Sequence, residues 1–239
     1  MTYASRTDTL TAPGHPSEKT RLEAHPWETA VNLDIQGLIL RLPVVLFSLT
    51  LHEFMHGWTA SKCGDDTARR AGRLTLNPLP HLDPIGTLCL MFAPIGWAKP
   101  VPVNPANFRH RRRDEVLVSG AGVAANFGLA VALALVVRLL VWQGLWPTEG
   151  PAAVIWDMLL VGISINFALA VFNLIPIPPL DGSHILENLL PPAAAIRYAE
   201  MRRYGMYLLV GVVIANQYTH FLGWPILGLM RLATGLQFG

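Results

Sequence analysis

Charge is scarce in this 239-residue sequence: only 14% of residues are Asp, Glu, Lys or Arg, while 52% are apolar. An ordinary soluble domain carries about 25% charge, so there is too little here to coat a water-soluble globule. Cysteine is nearly missing as well. Cys63 and Cys89 are the only two, which excludes a disulfide framework and any Cys-rich zinc module. The net charge of +2 is too small for a nucleic-acid footprint, and the basic residues sit in loops rather than along one helix face. No nucleic-acid partner is expected. The first 35 residues lack the apolar core of a secretory signal and are polar, with Pro13, Pro16 and Pro26. They read as a largely disordered tail ahead of a membrane-embedded domain over 36–239.

Long apolar runs are what the sequence has instead. A bilayer-crossing helix needs about 20 mostly apolar residues, and four stretches meet that need: about Ile35–Ala60, Val116–Val137, Ala153–Ile175 and Tyr204–Met230. A fifth run, Pro84–Trp97, is too short and is interrupted by Pro84, Gly86, Pro94 and Gly96. It reads as a re-entrant segment, because irregular backbone at membrane depth survives only where protein buries it or it lines a watery cavity. Its flanks, Leu74–Leu82 and Lys99–Phe108, read as edge strands or extended loops. The expected fold is an all-α polytopic membrane protein with about four transmembrane helices and a re-entrant hairpin.

Basic residues collect on the cytoplasmic side of short loops. Lys62, Arg69, Arg70 and Arg73 follow the first run, Lys99, Arg109 and Arg111 to Arg113 precede the second, and Arg197, Arg202 and Arg203 precede the fourth. The 143–152 loop has no Lys or Arg. With a re-entrant Pro84–Trp97, all three basic loops fall on the cytoplasmic face.

The strongest local signal is His52-Glu53-Phe54-Met55-His56 near the end of the first run. Side chains four apart share a helix face with Cβ atoms about 6 Å apart, so His52 and His56 can hold one metal ion. Glu53 can act as the base that deprotonates a water whose pKa zinc lowers towards about 7. Ionisable groups inside an apolar helix cost about 2.5–3.5 kcal/mol on insertion scales, which argues against chance. A catalytic zinc takes three protein ligands and leaves one position open. Asp181, in Asn173-Leu-Ile-Pro-Ile-Pro-Pro-Leu-Asp181-Gly182, is the best third candidate, since loop charge puts the ends of the first and third runs at one depth. By itself Asp181-Gly182 would be a turn or a helix cap. Asn173 and Asn126 are amides that can donate to a developing oxyanion. Asn173 is the stronger candidate, while Asn126 equally suits packing between helices. Asn166 and Asn216 read as packing residues, and His184 as a neighbour of the ligands or a headgroup contact.

With these motifs in view, the chain resembles the site-2 proteases, polytopic zinc metalloproteases that cut transmembrane segments in regulated intramembrane proteolysis. The likeness covers about Gly37–Leu190. It also takes in the run from Arg73 through Asn77-Pro78, His81 and Asp83-Pro84 to Gly86-Thr87, similar to the small group without a PDZ domain. The resemblance implies one zinc on His52, His56 and Asp181, Glu53 as catalytic base, Asn173 as the amide stabilising the intermediate, and a re-entrant hairpin around Leu74–Phe108. Where the family often shows Gly-Pro-x-x-Asn ahead of the position of Asn126, this chain has Val123 after Gly122. The implied partners are a membrane-anchored protein substrate, the lipid bilayer and a regulatory membrane protein. The substrate is expected to pair with Leu74–Leu76 or Val101–Val103 near the scissile bond. A zinc-containing chaperone or assembly factor is the non-catalytic alternative, though a structural zinc needs no base. A metal transporter would need polar residues along a whole crossing path.

Overall fold

The computed structural model describes residues 35–87, 96–147 and 149–237. The polar tail, apart from Ile35, and the middle of the short apolar run at 88–95 lie outside the described residues. The α-helices with both ends described are α1 Ile35–Cys63, α2 Thr67–Arg70, α3 Arg111–Trp142, α4 Gly150–Asn173, α5 Asp181–Leu189, α6 Pro192–Ala199, α7 Gly205–Thr219 and α8 Gly223–Thr234, and residues 84–87 are also helical. One-turn 3-10 segments occupy Leu79–His81, Pro105–Asn107 and Glu200–Tyr204.

The first three apolar runs form α1, α3 and α4, each somewhat longer than its apolar stretch. Helix α3 starts where the Asp114 carboxylate accepts from the His110 N–H (2.8 Å). Past its end the chain turns at Gly144, in the left-handed region at φ 74°. Helix α4 stops ahead of Pro176, Pro178 and Pro179, which cannot continue it. At 32 and 24 residues, α3 and α4 are long and apolar enough to cross a membrane. Only 28% of the most apolar window of each is buried within the protein, and Leu135, Val136 and Leu139 point outward. A core helix of a soluble protein would be covered; these present apolar side chains to their surroundings.

Ala130, Ala134 and Val137 of α3 meet Ile163 and Phe167 of α4 and Met230 of α8 in one core. Small residues at such contacts let helix backbones come close where burying apolar surface between lipid-like faces gains little. A second cluster joins Ala60 and Cys63 of α1 with Phe108 and Val118.

The fourth stretch corrects the sequence reading: it is two helices, not one. His220 takes a left-handed conformation (φ 52°) between α7 and α8, and the Asn216 side chain accepts from the Leu222 N–H at 3.0 Å. Pro225 explains the break, since it has no N–H to give the carbonyl four residues back and its ring clashes there. Asn216 thus serves the turn rather than helix packing. Neither α7, with 15 residues, nor α8, with 12, reaches the length needed to cross.

Among the described residues there is no strand, only an isolated antiparallel bridge between Leu82 and Ala98. The Lys99 N–H also donates to the His81 carbonyl at 2.8 Å. The chain therefore leaves at residue 82 and is back beside it at residue 98. Beyond the bridge, the Val101 segment is held to the end of α1. Asp65, fully buried, accepts from the Thr67 N–H and hydroxyl, the Asn104 N–H and the Asn107 side-chain amide.

Candidate metal centre

The helix period puts His52 and His56 one turn apart on α1, both buried at 5% and 9% exposure. Asp181 arrives from the head of α5, after the proline-broken link from α4. Its approach requires glycine next to it: a Cβ on Gly182 would lie 2.3 Å from the Leu174 carbonyl oxygen. Three atoms then converge. His52 Nε2 and His56 Nε2 are 2.9 Å apart, and Asp181 Oδ2 is 3.1 Å from the first and 3.3 Å from the second.

The protonation of this triangle follows from what lies behind it. His56 Nδ1 is 2.7 Å from the Val118 carbonyl, which can only accept, so Nδ1 carries the proton. His52 Nδ1 is 2.6 Å from Asn126 Oδ1. That amide cannot be the other way round, because its Nδ2 faces the Ser48 carbonyl at 3.1 Å. His52 Nδ1 is therefore also a donor. In the neutral imidazoles both Nε2 atoms are then lone-pair acceptors, facing each other and a buried carboxylate oxygen that has no hydrogen-bond donor. Three converging lone pairs need positive charge between them.

The dimensions suit zinc. Ligand distances of about 2.0–2.1 Å in a tetrahedron place ligand atoms about 3.3 Å apart, close to the three edges found. His52, His56 and Asp181 form the one group of three or more potential metal-ligating side chains of this kind among the described residues. Gly122 of α3 keeps the space open: a Cβ there would fall 2.5 Å from His56 Nε2 and 2.7 Å from His52 Nε2. Three protein ligands with a side-chain-free neighbour match a catalytic site, whereas structural zinc is closed by four.

Glu53, the residue after His52, is half-buried, and its Oε2 accepts from the Val101 N–H at 2.8 Å. Val101 is thus not free to pair with a substrate strand through that N–H. Asn173 stands at the end of α4 and donates one amide N–H to the Leu169 carbonyl (3.0 Å) in its own helix. The structure joins His52, His56 and Asp181 directly, whereas the described side-chain hydrogen bond of Asn173 goes to Leu169 in its own helix. The roles of Asn126, Asn166 and Val101 around the triangle were not legible beforehand. The only signal was the rarity of amides in apolar helices.

The comparisons with known proteins agree with this geometry. A protein of Bacillus subtilis (strain 168) named as a zinc metalloprotease, YwhC, is 37% identical over 187 residues, covering 78% of this chain and 85% of that protein. The chain belongs to peptidase family M50. The family's own model, Peptidase family M50, matches residues 147–215, which contain Asp181. Rip2 of Mycolicibacterium smegmatis, also named as a zinc metalloprotease, is 34% identical over 175 residues, 71% of this chain and 64% of that protein. Rip2 of Mycobacterium tuberculosis (strain H37Rv) is 32% identical over 176 residues, with the same shares. No solved structure matches. As an M50 peptidase of the site-2 protease family, the chain is a membrane-associated zinc metalloprotease, and His52, His56 and Asp181 are the group suited to the ion.

Proposed function

We propose that this M50 peptidase is an intramembrane endopeptidase that hydrolyses peptide bonds in or near transmembrane segments of membrane-anchored proteins, in regulated intramembrane proteolysis. The observation that carries the reading is the triangle of His52, His56 and Asp181 in a protein whose α3 and α4 turn apolar faces outward. His52, His56 and Asp181 would hold a zinc ion, which when bound would supply an acidified water and polarisation of a peptide carbonyl. Glu53 takes the proton from the attacking water and passes it to the leaving amine nitrogen. The Val101 N–H holds one oxygen of Glu53 and so aims the other. Asn173 has one amide hydrogen beyond that given to Leu169, and this free donor supports a role in stabilising the tetrahedral oxyanion.

In this reading α1, α3, α4 and the α7–α8 pair form a multi-pass bundle in the cell membrane, with the Pro84–Trp97 run re-entering it and the site near the cytoplasmic side. The Leu82–Ala98 bridge supports re-entry, since a segment whose ends meet cannot cross. The test is to compare membrane proteomes of cells carrying wild type or Glu53→Gln. A membrane-anchored protein that accumulates uncut only with Glu53→Gln identifies the substrate; identical proteomes count against intramembrane proteolysis.

A further inference from the structure

Behind His52 lies a chain of buried amides that the proposed chemistry does not use. Asn126 of α3 is fully buried, and Asn166 of α4 and Ser48 of α1 are each 1% exposed. Asn126 Oδ1 accepts from His52 Nδ1 (2.6 Å), and its Nδ2 donates to both the Ser48 carbonyl (3.1 Å) and Asn166 Oδ1 (2.8 Å). Asn166 Nδ2 donates in turn to Ser48 Oγ and to the Gly162 carbonyl, both at 2.8 Å.

Every orientation in this chain is forced. The Gly162 carbonyl can only accept, so Asn166 must direct Nδ2 there and Oδ1 towards Asn126. The Ser48 carbonyl and Asn166 Oδ1 can only accept, so Asn126 must direct Nδ2 at them and Oδ1 at His52. Both hydrogens of each amide are occupied, and neither has one left for an oxyanion. Asn126 is therefore excluded from the role that Asn173 can fill.

We propose that Asn126, held by Asn166 and Ser48, is a positioning residue that fixes the Nδ1-protonated tautomer and the ring plane of His52, so that Nε2 faces the metal. The proposal rests on the reading of His52 as a zinc ligand. Metal-bound histidines commonly donate their second N–H to an oxygen, and losing that oxygen typically lowers metal affinity 10- to 100-fold. In hydrocarbon the usual partners are few. The backbone serves His56 through Val118, and an amide anchored on three helices serves His52.

The test uses the full chain in detergent, with zinc affinity measured by chelator competition and ligand geometry by the absorption spectrum of the cobalt(II) form. Asn126→Leu, nearly the same shape without the acceptor, should bind zinc about 10- to 100-fold more weakly, with altered cobalt bands. Asn126→Asp keeps an acceptor for His52 but loses the two donors to Ser48 and Asn166, and should bind zinc more weakly than wild type yet more tightly than Asn126→Leu. Asn166→Leu, which frees the Asn126 amide to rotate, should fall in between. A packing role predicts the reverse order, with Leu tolerated in an apolar bundle and Asp harmful. That order, or wild-type affinity and cobalt bands in Asn126→Leu, overturns the proposal. If Asn126→Leu does not fold, unchanged affinity and bands in Asn166→Leu overturn it. His52→Ala in the same assay separates the two readings: if it keeps zinc, the ligand assignment itself fails.

Discussion

In the proposed mechanism single residues divide the labour at the candidate metal centre, and substitutions should separate binding from proton transfer. Glu53→Gln is expected to keep full zinc content and lose hydrolysis by roughly 10²- to 10⁴-fold, since a positioned base acts only in the transition state. His52→Ala, His56→Ala and Asp181→Ala should instead lose zinc. Metal analysis of the purified variants decides between them, and full occupancy in Asp181→Ala would remove it from the ligand set. Gly122→Ala should behave like a ligand variant although it removes no ligand, because its methyl group would lie against both Nε2 atoms. Wild-type zinc content in that variant would show that the imidazoles move aside. The His-Glu-x-x-His spacing was readable because helix geometry alone brings its members together. Asp181 was reachable through loop charge, since depth in a membrane is a coordinate that sequence can report. The partnership of Asn126 with His52, 74 positions away, was not. It depends on which faces of α1, α3 and α4 meet, and apolar runs with little polar asymmetry do not specify that.

Among the elements, the Val101 segment bears most on the proposed chemistry, because its N–H donates to Glu53. Val101→Pro removes the N–H that Glu53 accepts from, and loss of such a bond, about 1.4 kcal/mol, should cut kcat about tenfold while zinc content stays unchanged. Reduced zinc in that variant would mean that the segment supports the ligands instead. The same segment is pinned by Asp65. Burial pushes the Asp65 carboxyl up, but the donors from Asn104, Thr67 and Asn107 outweigh it and hold it below the usual carboxylate range. Its folded form is therefore favoured above the ordinary Asp pKa, and the gain is lost as pH falls through the lower folded value. Asp65→Ala should destabilise the protein by about 2–3 kcal/mol, read as a lower midpoint of thermal unfolding at neutral pH. An unchanged midpoint would show that the loop keeps its place without Asp65. The end of α4 was legible because proline stops a helix, but α3 runs from Arg111 to Trp142, past the charges that bounded its apolar run at Val116 and Val137, because charged residues continue a helix. The break at His220 was missed because Pro225 lies within an apolar stretch, and hydropathy averages over a single proline.

At the scale of the whole molecule, the proposed topology puts the basic loops on one face of the membrane. Cysteines introduced at Arg70, Arg111 and Arg202 should label from the cytoplasm with an impermeant reagent, and one at Glu149 from the opposite face. Labelling of Arg70 and Arg111 from opposite sides would mean that the chain crosses between them. The pairing of Leu82 with Ala98 has a further consequence for how such a molecule can vary. A loop closed at a narrow neck is anchored by its base rather than its contents, and doubling a flexible loop costs only about 0.6 kcal/mol in closure entropy. The meeting of Leu82 and Ala98 thus lets the number of residues between them change at small entropic cost, while the chain beyond, with the Val101 N–H that Glu53 accepts from, keeps its place.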